Sequence, residues 1–381
     1  MRLLTAPYIG NHQEILYFTV SSYSQGQITR MNHQQKIEER MSADKVFNPK
    51  VVKRGIIIFA LITVLTLIGI FLYTNTSTNL EVWYKMNPLY LLIGLVFIFN
   101  DLFLGALRNH IFVREFVPGI SLMTSVKANL ANIFMGAVTP SQSGGGPAQW
   151  YLFYRHGVSI PDNISNSFYN WISTLIFFPI SGALAIYILD ERVPDGFVKH
   201  LTEFGFSVFL TMLIVVTVAL FSPRFVGRLL RALANLLARL SDKWSAKLSS
   251  WGDDAEDKMK DYQQKCMHLI KTKPQLMLYS FLLTLMLYFN KYSLAYLFCM
   301  ALGISPSFWG IIAVMAVQYL LLYFAPSPGG SGIAEVSLVA LLSAFMASDS
   351  AFTITILHRS YLIFIPAILG AWVVLRQVSS E

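Results

Sequence analysis

Two apolar stretches of the chain break at Thr139-Pro140-Ser141-Gln142-Ser143-Gly144-Gly145-Gly146-Pro147 and at Ala325-Pro326-Ser327-Pro328-Gly329-Gly330-Ser331-Gly332. The apolar residues before the breaks are 120–138 and 308–324, and a further apolar stretch, 333–346, follows the second break. Pro and Gly at this density end a helix. Broken backbone survives at membrane depth only where protein or water surrounds it. The sequence therefore predicts two re-entrant hairpins, each built from two half-helices.

The composition is that of a membrane protein. Hydrophobic residues make up 55% of the chain and charged residues 13%, whereas soluble domains contain about 25% charged residues. A helix needs about 20 apolar residues to cross a bilayer, and six further runs approach this length: 55–73, 88–107, 164–189, 205–222, 276–300 and 353–375. The predicted fold class is all-α: a polytopic membrane protein with about six full transmembrane helices plus two re-entrant helical hairpins.

The order of these segments predicts inverted repeats. The two broken loops resemble each other, and three full spans separate the hairpins, so the hairpins enter from opposite faces. Paired interrupted segments of this kind indicate a transporter site near the bilayer midplane. Residues 223–274 contain eleven Lys or Arg, whereas the loops at 74–87, 190–204 and 301–307 contain three in total. The positive-inside rule then places 223–274 and both termini in the cytoplasm, with the chain in the cell (inner, cytoplasmic) membrane.

The polar segments predict the domain organisation. Residues 1–50 are expected to form a disordered cytosolic tail, and residues 51–376 the membrane domain. The net charge of +8 does not indicate nucleic-acid binding, because the basic residues lie between apolar spans. Residues 223–243 are expected to form an amphipathic helix on anionic inner-leaflet lipids, with a solvated helix as the alternative. Neither Cys266 nor Cys299 has metal-ligand spacing, and we predict no metal and no cofactor.

The glycine-rich loops are candidates for binding a phosphate-bearing headgroup. Backbone N–H groups without a neighbouring Cβ can approach a ligand closely, and a half-helix N-terminus adds positive potential. The alternative is that the glycines only allow the half-helices to pack closely. Polar side chains follow the first loop and can supply further contacts. From the first hairpin, the predicted lipid-binding residues are Pro140, Ser141, Gly144, Gly145, Gln149 and Arg155.

Two ionisable residues accompany the second hairpin. Glu335 follows the loop in the first turn of a half-helix, where it either caps the helix or pairs with a cation. Arg359, with Tyr361, opens the last span. We expect Arg359 to face the bundle, where it can pair with Glu335 or hold a phosphate through its planar fork, rather than to snorkel to the interface.

Three other charged residues lie in the apolar spans. Asp101 and Arg108 are seven residues apart on the second span, near enough to share a helix face. Arg108 is expected to be an interfacial anchor. Lys291 interrupts the fifth span, and its simplest role is to pair with Asp101 or a backbone carbonyl.

At residues 139–159, 326–335 and 358–361 the chain resembles the lysylphosphatidylglycerol synthase transmembrane (flippase-like) family, and the resemblance extends over roughly residues 50–376. The resemblance implies a lipid-handling membrane domain. Its functional positions fall here on Pro140, Gly144, Gly145, Pro326, Gly329, Gly330, Gly332, Glu335 and Arg359. Many relatives have Gly-Glu-x-x-Arg after the first loop, where this chain has Gly146-Pro147-Ala148-Gln149. We expect no aminoacyl-transfer domain of the kind that multidomain relatives carry, and no synthesis of a lysyl-lipid by this chain alone.

The predicted function is movement of a polar-headed lipid between leaflets: an anionic or aminoacylated phospholipid, or a lipid-linked sugar. No catalytic motif such as His-x-x-x-His or Gly-x-Ser-x-Gly is present. The alternatives are a membrane subunit or enzyme of lipid or lipid-linked glycan modification, and a transporter of small solutes. The expected partners are membrane lipids; a lipid-modifying enzyme and a second copy of the chain remain open.

Overall fold

The computed structural model describes residues 47–73, 84, 86–189, 197–221 and 269–379. Within these ranges the regular structure is helical, with no strand. The helices are α1 (Pro49–Tyr73), α2 (Pro88–Phe116), α3 (Leu122–Val138), α4 (Gly145–Arg155), α5 (Ile160–Leu189), α6 (Phe197–Phe221), α7 (Pro274–Ala301), α8 (Phe308–Leu322), α9 (Ile333–Leu342), α10 (Ser348–Arg359) and α11 (Ile365–Ser379). A π-helical turn joins α10 to α11.

The predicted fold class is confirmed, and the chain is a multi-pass membrane protein. Five helical segments are long and apolar enough to cross a bilayer: α1, α2, α5, α7 and the continuous α10–α11. The predicted span 205–222 coincides with most of α6. Helix α2 continues past residue 107 to Phe116, so Arg108 lies inside a helix rather than after one.

Two sequence predictions concern residues outside this description. The expected amphipathic segment 223–243 and Cys266 lie outside the described residues, as do residues 1–46 of the expected tail. The end of that tail is packed, because the Phe47 side chain is buried against Tyr151 with ring centroids 5.1 Å apart. Helix α1 begins two residues later, at Pro49.

Short polar residues set the helix starts. The side chains of Asn87, Ser121 and Ser307 accept hydrogen bonds from the first turns of α2, α3 and α8. Such caps satisfy N–H groups that have no partner within the helix. Pro88 follows its cap directly, where the missing N–H is harmless.

The two predicted hairpins are present, and their tips meet. Helices α3 and α8 have 17 and 15 residues, or about 25 Å and 22 Å of rise, less than the ~30 Å of hydrocarbon. Each is followed by a short helix, α4 or α9. The Ser141 N–H of the first loop donates to the Pro326 carbonyl of the second at 3.1 Å. Broken backbone from one hairpin is therefore satisfied by the other.

The loops reach similar shapes by different means. In the second loop, the positive φ angles belong to Gly329 (57°), Gly330 (70°) and Gly332 (86°). In the first loop they belong to Ser141 (50°) and Gln142 (56°), which is uncommon for residues with a Cβ and marks local strain.

The packing of the hairpins is reciprocal. Helix α3 of the first hairpin packs along α11, in the span after the second hairpin, and α8 packs along α5, the span after the first. Helices α2 and α7, which precede the two hairpins, pack against each other. This exchange is the arrangement that a two-fold inverted repeat produces. Helix α1 lies outside this frame and contacts α3, α9 and the second loop.

Candidate functional site

A cavity of about 270 Å³ lies where the two hairpin tips meet the long helices. Its polar lining comes from several elements: Asp101 of α2, Gln142 of the first loop, Lys291 of α7, and His358 and Arg359 of α10. Phe178 and Leu338 are among its apolar lining residues. The cavity thus combines two cations and one carboxylate with apolar walls.

Glu335 and Arg359 form a buried ion pair beside the second loop. The Arg359 Nε donates to Glu335 Oε1 at 2.9 Å, and Nη1 donates to the Gly329 carbonyl at 3.0 Å. The other Glu335 oxygen accepts the Gly332 N–H at 2.6 Å. The side chains are only 5% and 1% exposed. Both expected roles of Glu335, capping and pairing, are therefore present, and Arg359 faces the bundle as predicted.

The guanidinium of Arg359 is not fully used by the protein. Its Nη2 is buried and has no hydrogen-bond partner among the described residues. The same holds for the Ser327 hydroxyl in the second loop. The π-helical turn Ser360–Phe364 follows Arg359 directly, and such turns are frequent at functional sites. Arg359 lines the cavity, and its guanidinium keeps donor capacity beyond its bonds to Glu335 and Gly329.

A second ion pair also lines the cavity. The Lys291 Nζ is 2.5 Å from Asp101 Oδ1, and the Asp101 side chain is 3% exposed. The Lys291 carbonyl lies 3.1 Å from the His358 Nε2. Because a carbonyl only accepts, the proton of this imidazole is placed on Nε2. The expected pairing of Lys291 with Asp101 is confirmed.

The first hairpin holds neutral amides where the second holds charges. Gln149 follows Pro140 by nine residues, as Glu335 follows Pro326. The Gln149 Oε1 accepts from Asn132 at 2.7 Å, and its Nε2 donates to Asn109 Oδ1 at 2.9 Å. The network continues from Asn109 to α5, where Asn166 and Asn170 also donate to Asn109 Oδ1. Only Asn132 of this network lines the cavity.

The predicted site residues divide between the cavity and its surroundings. Gly329, Gly330 and Arg359 line the cavity, and Glu335 holds Arg359. The first-loop glycines do not line it: a Cβ on Gly145 would lie 2.9 Å from the Asn132 carbonyl, so it permits close packing.

The remaining predicted residues lie outside the cavity lining. Arg155 is exposed at the end of α4, within 3.5 Å of the Tyr151 hydroxyl. The Tyr361 hydroxyl donates to the Leu91 carbonyl at 3.0 Å, which fixes its ring against α2. Ser141 and Pro326 form the hydrogen bond between the tips, and Pro140 precedes Ser141 in the first loop. Gly332 caps the start of α9 and donates its N–H to Glu335.

Sequence reasoning missed the tyrosines of the cavity. Tyr288 of α7 and Tyr319 and Tyr323 at the end of α8 line it. The Tyr288 and Tyr319 rings meet edge to face at 5.8 Å. The signal was present, because Tyr319 and Tyr323 are four residues apart and share a helix face. Among the described residues, no cluster of three or more His, Cys, Asp or Glu side chains is placed to hold a metal.

Comparison with known proteins, like the fold, classifies the chain as a membrane protein. A UPF0104 membrane protein of Archaeoglobus fulgidus is 23% identical over 291 residues, which is 74% of this chain and 84% of that protein. The model of the lysylphosphatidylglycerol synthase TM region matches residues 55–370, which include both hairpins and the cavity. The chain therefore belongs to the lysylphosphatidylglycerol synthase TM region family, a membrane family associated with lipids.

Proposed function

We propose that this protein moves a phospholipid with a phosphate-bearing headgroup, anionic or aminoacylated, between the leaflets of the membrane. The observation on which this rests is the unused Nη2 of Arg359 beside the cavity. A guanidinium is well suited to hold phosphate oxygens, since its donors lie in one plane. Lys291 contributes a second cation to the cavity lining. A lipid-linked sugar phosphate offers the same chemistry.

The size of the cavity supports a headgroup rather than a whole lipid. Pockets for drug-sized ligands occupy about 300–1,000 Å³, and this one has about 270 Å³. Acyl chains would stay in the bilayer while the headgroup passes the hairpin tips. Glu335 would orient Arg359, or contact the ammonium of an aminoacylated headgroup. Movement would be passive or coupled to an ion.

The experiment measures leaflet exchange of fluorescent phosphatidylglycerol in proteoliposomes, read by chemical quenching of the outer leaflet. We expect Arg359→Gln to slow exchange by about tenfold or more, because a charge-assisted hydrogen bond to phosphate is lost. The matched control is Arg376→Gln, an exposed arginine on α11 whose guanidinium stacks on Trp372. Exchange by the parent no faster than in empty vesicles would refute the proposal.

A second candidate function has one observation in its favour: the name of the family refers to a synthase. In this case the cavity would present a lipid acceptor to a partner enzyme. Formation of a new lipid species that requires both this protein and an activated donor, with no exchange in vesicles, would favour this candidate.

We also propose the orientation with both termini in the cytoplasm of the cell membrane, supported by the basic residues of 223–274. A membrane-impermeant thiol reagent applied to intact cells is expected to label Thr78→Cys and to leave Ser250→Cys unlabelled. Cys266 and Cys299 are replaced by Ser in both variants. The opposite labelling pattern would invert the orientation.

A further inference from the structure

Arg108 is a cation inside the helix bundle whose partners are neutral. Its Nη2 donates to the Asn170 carbonyl at 2.8 Å and to Thr174 Oγ1 at 2.9 Å, both on α5. Its Nε is buried without a hydrogen-bond partner in the described part of the chain. Arg108 is thus held by α5, and part of its donor fork is unused.

The other cations of the bundle centre are neutralised. Lys291 lies against Asp101, and Arg359 against Glu335. No carboxylate of the described residues lies within ion-pair distance of Arg108. A charge inside a bilayer is costly, and such charges usually face the bundle interior or a cavity and mark ligand pathways. The surroundings of Arg108 are therefore those of an anion-binding residue rather than those of a structural ion pair.

The position of Arg108 connects the cavity with one end of the bundle. It lies seven residues beyond Asp101, about 10 Å further along α2. Its partner Thr174 lies one helical turn from Phe178 on α5, and Phe178 lines the cavity. In the other direction, α2 ends at Phe116.

We propose that Arg108 is a second binding station for a phosphate-bearing anion, between the cavity and the end of α2. The phosphate of a headgroup would accept from the unused guanidinium donors while Asn170 and Thr174 hold Nη2 in place. This inference rests on the proposed function, and it adds where the headgroup pauses on the way to or from Arg359. The chemistry is shared by a lipid phosphodiester and free inorganic phosphate, so the experiment tests both.

The experiment measures equilibrium binding of radiolabelled dihexanoylphosphatidylglycerol, below its micelle-forming concentration, to the full chain in detergent. We expect the parent to bind two equivalents. Arg108→Gln and Arg359→Gln should each retain one, and the double variant none. Arg114→Gln, an exposed arginine six residues away on α2, is the matched control and should bind as the parent does.

A second variant separates loss of the station from loss of folding. Thr174→Asp keeps Arg108 and gives it the carboxylate that it lacks, so it should weaken binding at this station by about tenfold or more through direct competition. Binding of two equivalents by both Arg108→Gln and Thr174→Asp would overturn the inference. If Arg108→Gln binds inorganic phosphate more weakly than the parent but binds the lipid equally well, the lipid assignment is overturned.

Exchange measurements on the same proteins distinguish this inference from the proposed function. If Arg108→Gln loses an equivalent but the parent moves no lipid, the station is supported and the transport proposal fails. If the parent moves lipid and Arg108→Gln both binds and exchanges as the parent does, transport is supported and the station is overturned. If Arg108→Gln loses one bound equivalent of lipid and exchanges lipid more slowly than the parent, both the transport proposal and the station are supported.

Discussion

The ion pair of Glu335 and Arg359 leads to a prediction in which stability and ligand binding change in opposite directions. The perturbation is Glu335→Gln, which keeps the shape of the side chain and removes its charge. Both oxygens of Glu335 accept hydrogen bonds, one from Arg359 and one from the Gly332 N–H. An amide has only one acceptor oxygen. One of these donors must therefore lose its partner, and Arg359 keeps a charge that nothing balances.

The magnitude follows from burial. Breaking a buried pair by removing one partner costs about 3–5 kcal/mol, and these side chains are 1% and 5% exposed. The matched control is Glu115→Gln, which breaks the pair of Glu115 with Lys273 at side chains 28% and 44% exposed. An exposed pair contributes about 0–1 kcal/mol. We expect a difference of about 2–5 kcal/mol between the two variants in the free energy of unfolding.

The assay is unfolding in mixed micelles by titration with sodium dodecyl sulfate, with and without dihexanoylphosphatidylglycerol. An anion bound to the uncompensated Arg359 restores part of the lost stability. The lipid should therefore stabilise Glu335→Gln more than the parent, by about 1.4 kcal/mol for each tenfold gain in affinity. Tighter holding also slows release, so exchange should fall. Equal stabilisation of parent and variant by the lipid would refute the assignment of Arg359 as the anion site.

Two further predictions concern the hairpin tips. Gly329→Ala should lower the free energy of unfolding by more than Gly303→Ala does, measured in the same titration. Both glycines have a positive φ. A Cβ at Gly329 would lie 2.8 Å from the Phe59 ring, whereas nothing lies within 4 Å of a Cβ at Gly303. The strain common to both substitutions is about 1–2 kcal/mol, and equal losses would contradict the packing of α1 over the second loop. The double variant Thr63→Cys, Ser331→Cys should form a disulfide under mild oxidation, because the parent hydroxyl groups lie 2.9 Å apart. Mass spectrometry of the linked peptides checks this prediction. Free thiols at both positions would show that α1 lies elsewhere.

The sequence predicted the parts of the fold that depend on local chemistry. Length and apolar composition located the spans, and clusters of Pro and Gly located the hairpin tips. The ion pairs of Glu335 with Arg359 and of Asp101 with Lys291 followed from one rule, that a charge in a membrane helix needs a partner. Few such residues exist in this chain, so the choice of partners was small.

What the sequence could not predict depends on how the helices rotate. Arg155 and Gln149 both follow the first loop, yet Arg155 is exposed and Gln149 is buried among amides. A six-residue separation on one helix leaves them on different faces, and only the packed bundle determines which face is inward. Tyr288 and Tyr319 likewise belong to different helices, and their contact follows from the crossing of α7 and α8.

The two halves of the inverted repeat have similar backbone arrangements but different charges. Gln149 and Glu335 occupy corresponding positions after their loops, but Gln149 is satisfied entirely by amides, whereas Glu335 requires Arg359. The amides of this network bond to one another and carry no net charge, so none of them requires a counter-ion. The ion pair is different, because its guanidinium keeps a buried Nη2 without a partner among the described residues. If both halves carried the same charges at these positions, the two hairpin tips would bind headgroups with equal affinity. Here the first half supplies neutral amides and the second supplies the ion pair beside the cavity, so corresponding positions of the two halves differ in charge.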